Sequence, residues 1–314
     1  MSNSFPAPPP AGVYTPVPTF FTKDGVTIDF ETQVRHAKFL SDNGIKGAVI
    51  MGSTGEAAHL TRTERASIIS SIHRAVPHWV IVGGVSQNSV QDALDEIDSI
   101  MAAGASYALV LSSSYYGPGT TQAGIRDFYT TIADRSPLPV LIYVYPGVSN
   151  GLVVEPTTVE ELSSHPNIVG CKLSYGDVSH HTLIASSPRV KINNFNVFTG
   201  LGQILLPVLM VGGKGTVDAL AGAFPRLYVK IFDLFQEHKY EEAARLQYIA
   251  CRGEELVVRF GVVGIKKAIH SQGFGETYLG RVPLNHDVDE KKWSKYAANL
   301  LECEEVEEKL SRHE

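Results

Sequence analysis

Eight short runs of apolar, mostly β-branched residues recur along the chain, and segments of helical period separate them. In the first of these segments Phe30, Val34, Ala37 and Leu40 recur at the spacing of one helix face. Apolar strands that alternate with helices are typical of a parallel sheet that is covered on both faces. The eight runs are GVYTPVPTFF, IKGAVIMG, WVIVGGV, YALVLSS, PVLIYVY, NIVGCKL, NVFTG and GKGTVDAL.

Eight repeats favour an α/β fold in which the sheet closes on itself, the (β/α)8 or TIM barrel. A doubly wound open sheet is the alternative, but no strand is followed by the G-x-G-x-x-G turn of a dinucleotide crevice. The strand pattern ends near residue 220, and the remainder is rich in Ala, Leu, Glu and Lys. We therefore predict a flexible proline-rich lead over residues 1–11 and a barrel core over 12–223. Residues 224–314 are predicted to form the closing barrel helix and a C-terminal helical extension.

The composition narrows the classes of partner. A chain of 314 residues with 44% hydrophobic and 19% charged residues is globular. Its net charge of −6 and scattered basic residues leave no basic stripe, which argues against nucleic acid and for a small-molecule partner. Three widely spaced cysteines predict neither disulfides nor a zinc site. Neither a membrane-spanning run nor a secretory or transit pattern is evident, so we expect a cytoplasmic protein without a membrane partner.

Acidic and histidine clusters elsewhere give no sign of catalysis. Two acidic groups are interpreted as solvated helix faces. The adjacent pair His180 and His181 points apart on a helix and lacks the spacing of metal ligands, so we expect no metal or other cofactor. The acidic groups are Asp92, Asp95, Glu96 and Asp98 on the third helix, and the run from Glu302 to Glu308.

Lys172 ends the apolar run of the sixth predicted strand, where its surroundings would not solvate a cation. Desolvation lowers the pKa of a lysine and turns an inert ammonium into an amine that can attack a carbonyl group. The alternative is a lysine whose stem lies along apolar surface while its head group reaches water. In a (β/α)8 barrel the chemistry lies at the carboxyl ends of the strands, which is where the sequence places Lys172.

Other strand ends carry polar residues as well. The second strand ends in Gly52-Ser53-Thr54-Gly55-Glu56, whose amides and hydroxyls can cradle a carboxylate, although a tight turn alone would also explain its glycines. The fourth ends in SYYGP at 114–118 and the fifth carries Tyr143, whose phenol can move a proton. The glycine-rich segment Gly212–Gly215 is expected at the end of the eighth strand, close to ligand, with Lys214 facing solvent or gating the site.

These motifs, in this order and at this spacing, resemble the dihydrodipicolinate synthase and N-acetylneuraminate lyase family of class I pyruvate-dependent aldolases. The resemblance rests on GSTGE at 52–56, SYYGP at 114–118, Tyr143 with Pro146, Lys172 in IVGCKL, and the glycine-rich eighth strand. It covers most of the chain and implies a (β/α)8 barrel that needs no metal, because the protonated imine itself is the electron sink.

The resemblance implies a role for each matching residue. Lys172 would form the Schiff base with the 2-oxo acid, and Tyr143 would be the general acid and base. Ser53 and Tyr116 would complete a proton relay, Tyr116 from across a subunit interface. Such a shared site implies a homotetramer or homodimer. Substrate would be bound by Gly52, Ser53, Thr54, the backbone of Val217, and the loop residues Ser149 and Asn150.

Two departures from the family pattern bear on the substrate. Ser53 stands where the family has threonine, which keeps the hydroxyl. Dihydrodipicolinate synthases carry an arginine just after the proline of the fifth strand, where this chain has Val148 or Ser149. A neutral residue cannot replace a guanidinium that grips a carboxylate. The loop PGVSNG and Lys172-Leu173-Ser174 look more like aldolases that act on 2-keto-3-deoxy sugar acids, particularly the fungal L-threo-3-deoxy-hexulosonate type.

Three other functions remain open. They are a 4-hydroxy-2-oxoglutarate aldolase, a 4-hydroxy-tetrahydrodipicolinate synthase, and a catalytically silent barrel that acts as a binding protein. The joint presence of Lys172, Tyr143 and Ser53 argues against the silent barrel.

Overall fold

The eight predicted strands form one closed barrel, in which every strand pairs in parallel with its neighbour and β1 pairs with β8. The computed structural model describes residues 6–311, apart from the side chain of Pro118. The predicted (β/α)8 barrel with a C-terminal helical extension is confirmed. The strands are β1 (Gly12–Pro16), β2 (Gly47–Ile50), β3 (Val80–Val85), β4 (Tyr107–Leu111), β5 (Val140–Val144), β6 (Ile168–Leu173), β7 (Asn196–Thr199) and β8 (Gly215–Val217).

Helices follow the strands and cover the barrel. Those that alternate with strands are α1 (Phe30–Asp42), α2 (Arg62–Ala75), α3 (Val90–Ala102), α4 (Gln122–Arg135), α5 (Pro156–Leu162), α6 (Val178–Ala185), α7 (Pro188–Ile192) and α8 (Leu205–Met210). The C-terminal ones are α9 (Pro225–Gln236), α10 (Tyr240–Ser271), α11 (Glu290–Trp293) and α12 (Ala297–Ser311). Thr61 and Glu64 form a capping box at the start of α2, which satisfies backbone donors there.

The core has two layers. A small inner cluster fills the barrel, and Tyr14, Leu109, Leu141, Phe198 and Val217 are among its members. A much larger cluster lies between the strands and the helices. Along each strand, side chains point alternately into the barrel and toward the helices. A polar side chain that points inward at the carboxyl end of a strand therefore faces the mouth of the barrel.

The N-terminal lead differs from its prediction within residues 6–11, and residues 1–5 lie outside the described part of the chain. The carbonyl of Pro9 accepts a hydrogen bond from Asn196 Nδ2 at 2.8 Å, and that of Pro10 accepts one from the Tyr14 hydroxyl at 2.9 Å. Pro9 is buried and lines a small void of about 20 Å³ inside the barrel. This part of the lead therefore lies across the amino-terminal end of the barrel rather than free in solvent.

Both acidic groups that were predicted to be solvated contain a buried carboxylate. Glu96 is fully buried in α3 and is paired with Arg62 and Arg65 of α2. Glu307 of α12 accepts hydrogen bonds from the backbone amides of Arg226 and Leu227 at the start of α9. A carboxylate at a helix N-terminus satisfies amides that have no partner within the helix. The prediction was wrong for these two residues because charge counts do not show which acid has a buried partner.

Candidate active site

Lys172 lies near the carboxyl end of β6 with only 5% of its surface exposed. The strand register sets it beside Tyr143 of β5, and its Nζ is 3.4 Å from the Tyr143 hydroxyl. The reading in which its head group reaches water is therefore wrong. Burial lowers the pKa of Lys172 to about 7, although the nearby Asp218 carboxylate favours the charged form. An amine of this kind is available for nucleophilic attack near neutral pH.

Tyr143 is buried at the end of β5, and burial raises the pKa of its phenol. Hydrogen bonds to the hydroxyls of Ser53 and Ser174 partly offset that rise. The phenol is thus neutral near pH 7 and stands in a chain of hydroxyls that ends at the β2 loop. Sequence reasoning named Ser53 but did not assign a role to Ser174, which follows β6 two residues after Lys172.

The β2 loop has an unusual backbone conformation, with Met51 at φ 67° and Glu56 at φ 55°. Within it the amides of Gly55 and Glu56 donate to the carbonyls of Gly52 and Ser53. Among the described backbone hydrogen bonds, none uses the amides of Ser53 and Thr54. Two such amides beside two hydroxyls suit an anion, and the carboxylate cradle stays a prediction.

Glu56 fixes this loop to the C-terminal extension. Its carboxylate is buried, and Oε1 accepts a hydrogen bond from Lys266 Nζ of α10 at 2.7 Å. Its Oε2 accepts one from the amide of Arg281 at 3.1 Å. Lys266 is 1% exposed and also donates to the carbonyl of Leu279 at 3.0 Å. The motif residue Glu56 is therefore a structural anchor of the loop that carries Ser53 and Thr54.

A buried pair of acids, Asp218 and Glu254, lies behind Lys172. The Asp218 carboxylate, just past β8, accepts hydrogen bonds from the amides of Gly202 at 2.8 Å and Ala221 at 3.0 Å. Glu254 of α10 is hydrogen-bonded to Asp218 and accepts a 2.6 Å bond from the Tyr228 hydroxyl. Burial and the neighbouring Asp218 raise the pKa of Glu254 well above its usual value, so Glu254 holds the proton of the pair.

The turn between Lys172 and this acid pair needs two glycines. A Cβ atom at Gly200 would lie 3.0 Å from Lys172 Cε. One at Gly202 would lie 2.7 Å from Asp218 Oδ1 and 2.6 Å from Glu254 Oε1. The β7 loop thus runs directly between the amine and the two carboxyl groups. Asp218, although it lies in the eighth apolar run, and Glu254 were not predicted as site residues, since they are 36 positions apart along the chain and only the fold pairs them.

A cavity of about 340 Å³ opens at the carboxyl ends of the strands and contains Ser53 and Tyr143 in its wall. Gly52 also lines it. Much of the remaining wall is apolar, with polar contributions from a few side chains of the β2, β3 and β4 loops. The apolar members include Leu109, Leu111, Val148 and Leu284, and the polar ones include His59, Ser86 and Ser114.

Ser149 and Asn150 were predicted to bind substrate, but the structure gives both a role in the loop itself. The buried Ser149 hydroxyl is hydrogen-bonded to the carbonyls of Tyr145 and Leu152. Asn150 adopts φ 50° and donates from its side chain to the Ser114 carbonyl at 2.8 Å. Val148, which precedes them, is the residue of this loop that lines the cavity. A serine or asparagine in a tight loop commonly satisfies nearby backbone groups, which sequence spacing does not show.

Tyr116, the glycine-rich segment Gly212–Gly215 and Val217 do not line this cavity. Tyr116 is 78% exposed and packs edge-to-face on Tyr115, with ring centroids 5.2 Å apart. The glycine-rich segment Gly212–Gly215 leads into β8, so it lies at the amino-terminal end of the strand and not at the mouth. The prediction that it approaches ligand was wrong, because an apolar-glycine pattern does not fix the ends of a three-residue strand. Lys214 is exposed there, and Val217 packs in the inner barrel layer beside Lys172.

Within residues 6–311 no cluster of three or more His, Cys, Asp or Glu side chains has the arrangement of a metal site. No helix in this range is long and apolar enough to cross a membrane.

The fold and the site together define a (β/α)8 barrel with a lysine–tyrosine pair at the carboxyl ends of its strands. The family model described as the Dihydrodipicolinate synthetase family matches residues 9–302. A protein named L-threo-3-deoxy-hexylosonate aldolase from Hypocrea jecorina is 32% identical over 316 residues, which are 97% of this chain and 100% of that protein. One from Emericella nidulans, named a mitochondrial 4-hydroxy-2-oxoglutarate aldolase, is 35% identical over 84% of this chain and 86% of its own length.

A solved structure of a dihydrodipicolinate synthase family protein from Coccidioides immitis superimposes with a TM-score of 0.86. It is 30% identical and covers 97% of this chain and 99% of its own. The chain therefore belongs to the dihydrodipicolinate synthetase family. It is an enzyme of the lyase class, a pyruvate-dependent aldolase.

Proposed function

We propose that the protein is a Schiff-base-forming class I aldolase that reversibly cleaves a 2-keto-3-deoxy sugar acid to pyruvate and an aldehyde. The observation that carries this proposal is the buried Lys172 amine, 3.4 Å from a buried tyrosine hydroxyl. Attack of the amine on the C2 carbonyl and loss of water give a protonated imine. No external cofactor is needed, because the cationic imine accepts the electron pair of the bond that breaks.

Tyr143 is the proton-transfer residue of this scheme. As the C3–C4 bond breaks, the C4 hydroxyl loses its proton to the Tyr143 oxygen, and the C4 carbon leaves as an aldehyde. The phenol passes its own proton along the hydroxyls of Ser53 and Ser174, to which it is hydrogen-bonded. The electron pair of the C3–C4 bond forms an enamine, and its C3 then takes up the proton that the serine hydroxyls return through Tyr143. Water hydrolyses the new imine, which releases pyruvate and restores Lys172.

The pyruvate carboxylate is proposed to bind in the β2 loop, on the amides and hydroxyls of Ser53 and Thr54. The bonds that hold Glu56 and Gly55 keep this loop rigid when the site is empty. A carboxylate bound there would leave its carbonyl carbon facing the barrel interior, where Lys172 and Val217 lie.

The cavity wall favours an aldehyde without a negative charge. Val148 or Ser149 stands where a carboxylate-bearing aldehyde would need an arginine, and neither lysine nor arginine is among the residues that line the cavity. The hydroxyls of Ser86 and Ser114 and the imidazole ring of His59 offer hydrogen-bonding groups for sugar hydroxyls. We therefore propose that Ser86, Ser114 and His59 bind the sugar hydroxyls, in place of Ser149 and Asn150.

A substrate panel tests the proposal. Release of pyruvate is compared for a 3-deoxy-hexulosonate, 4-hydroxy-2-oxoglutarate and N-acetylneuraminate, and condensation of pyruvate with aspartate semialdehyde is measured in parallel. The sugar acid is expected to have the highest kcat/KM, and no turnover of it would refute this choice. Val148→Arg is expected to raise kcat/KM for 4-hydroxy-2-oxoglutarate relative to the sugar acid, because it supplies a cation for the second carboxylate. Preferred turnover of 4-hydroxy-2-oxoglutarate by the wild type would make that activity the function.

The oligomeric state and location are also proposals. We infer a homotetramer or homodimer in which the exposed Tyr116 reaches a neighbouring subunit, since an aromatic pair on a surface loop is typical of an interface. A cytoplasmic location stays a prediction, because one relative is named mitochondrial.

A further inference from the structure

Residues 279–284, here called the strap, belong to the loop between α10 and α11 and cross the mouth of the barrel. They come from the C-terminal extension and not from a loop that follows a barrel strand. The strap is a tight turn, since the Leu284 amide donates to the Arg281 carbonyl at 2.6 Å and the Gly280 amide to the Leu284 carbonyl at 2.9 Å. Its shape is therefore set by its own backbone.

Two buried charges attach the strap to the β2 loop. Lys266 bridges the Glu56 carboxylate and the Leu279 carbonyl, and the Arg281 amide donates to the same carboxylate. A Cβ atom at Gly280 would lie 2.4 Å from Glu56 Oε2, so this approach requires glycine. The strap and the β2 loop are thus held together as one unit.

The Arg281 side chain adds a second attachment. Its guanidinium donates to the His59 carbonyl at 2.8 Å and to the Val26 carbonyl at 2.7 Å, and it is paired with Glu64 of α2. It also lies over the Phe21 ring, 5.1 Å from the centroid. Bonds to three separate segments fix the position of the strap on the rim.

Leu284 is the strap residue that lines the substrate cavity. Its half-buried side chain shares that cavity with Val148, Ala58 and His59, whereas Lys172 lies deeper, within the barrel. Pyruvate occupies the deep end in the proposed mechanism, so the carbons that depart as the aldehyde extend toward the rim. A rigidly held leucine there limits the space available to them.

We propose that Leu284 is a specificity-determining residue, which the strap holds at the rim so that it limits the length of the aldehyde that the enzyme accepts. The inference rests on the proposed aldolase function and deepens it. A hydrophobic wall discriminates between chains that differ by one carbon by roughly 10- to 200-fold. Leu284→Ala should therefore widen the range of accepted aldehydes, and Leu284→Phe should narrow it.

The test measures kcat/KM for condensation of pyruvate with glycolaldehyde, glyceraldehyde and erythrose, which lengthen by one carbon each. Leu284→Ala is expected to raise the erythrose-to-glycolaldehyde ratio by about 10-fold, and Leu284→Phe to lower it by a similar factor. Val282→Ala is the matched control, because Val282 lies on the same strap but is 74% exposed. Trapping of pyruvate by a hydride reagent should be the same in all four proteins.

Three outcomes are distinguishable. If both Leu284 variants keep the wild-type ratio while condensation proceeds, the inference about Leu284 is overturned and the aldolase proposal stands. A change in the ratio that Val282→Ala produces equally would also overturn it, because the effect would then come from the strap as a whole. If the wild-type protein condenses pyruvate with none of the aldehydes, both proposals fail.

Discussion

The pH dependence of imine formation at Lys172 follows directly from its burial. Its pKa is lowered to about 7. At pH 7 about half of the molecules then carry the free amine, whereas a lysine of ordinary pKa near 10.4 would carry it in roughly one molecule in 2,500. Because only the free amine attacks a carbonyl group, burial raises the reactive fraction at this pH by about three orders of magnitude.

The assay is the initial rate of pyruvate trapping by cyanoborohydride, at pyruvate concentrations well below saturation. Below pH 7 the rate should rise about tenfold for each pH unit, since the free-amine fraction does so. Above about pH 7.5 it should reach a plateau. A rate that keeps rising tenfold per unit through about pH 9 would refute the reasoning, because it would show a lysine that is not desolvated.

Two variants of the buried acid pair locate the source of this pKa. Asp218→Asn removes a carboxylate that favours the ammonium form of Lys172. The bend in the rate profile, which is the pH at which the trapping rate levels off, should therefore move to lower pH. Glu254→Gln replaces the group that holds the proton with a neutral amide and should leave the bend in place. Equal movement of the bend in both variants would contradict the assignment of the charge to Asp218.

Three further substitutions test proton transfer, subunit assembly and the stability of the strap separately. Tyr143→Phe should keep pyruvate trapping but lose at least about a hundredfold in kcat, and equal losses of both would argue against its role in proton transfer. Tyr116→Phe should lower kcat. If Tyr116 acts from a neighbouring subunit, dilution that dissociates the oligomer should also lower the activity of the wild type. A fully active monomer would exclude a site residue that is shared between subunits. Lys266→Met leaves the Glu56 carboxylate buried without its cation, at a cost of about 3–5 kcal/mol, and Lys266→Met with Glu56→Gln should recover much of the melting temperature. Melting temperatures of the single variant near wild type would show that the pair does not hold the strap.

The barrel could be predicted from sequence because both of its determinants are local. A buried parallel strand is a short apolar run, and a covering helix shows a periodic pattern. Lys172 and Tyr143 were placed correctly at the ends of β6 and β5, since a cation or a phenol at the end of such a run stands out. The closed order of the strands follows from eight such repeats.

Other features depend on contacts between distant segments. Glu96 and Glu307 resemble their solvated neighbours in sequence, and only the structure shows the arginines and amides that they bind. Asp218 and Glu254 form a pair only because α10 returns to the barrel beside β8. Leu284 reaches the cavity through a turn that Lys266 and Arg281 hold. Patterns in a single segment cannot reveal such partners.

The most direct test of the account is the mass of the protein after incubation with pyruvate and borohydride. Reduction of an imine at Lys172 should add one pyruvate-derived group per subunit, and peptide mapping should place it on Lys172. Lys172→Ala should take up no such group and should have no aldolase activity. A wild-type protein without the adduct, or a Lys172→Ala variant that still acquires it, would contradict the assignment of Lys172 as the nucleophile.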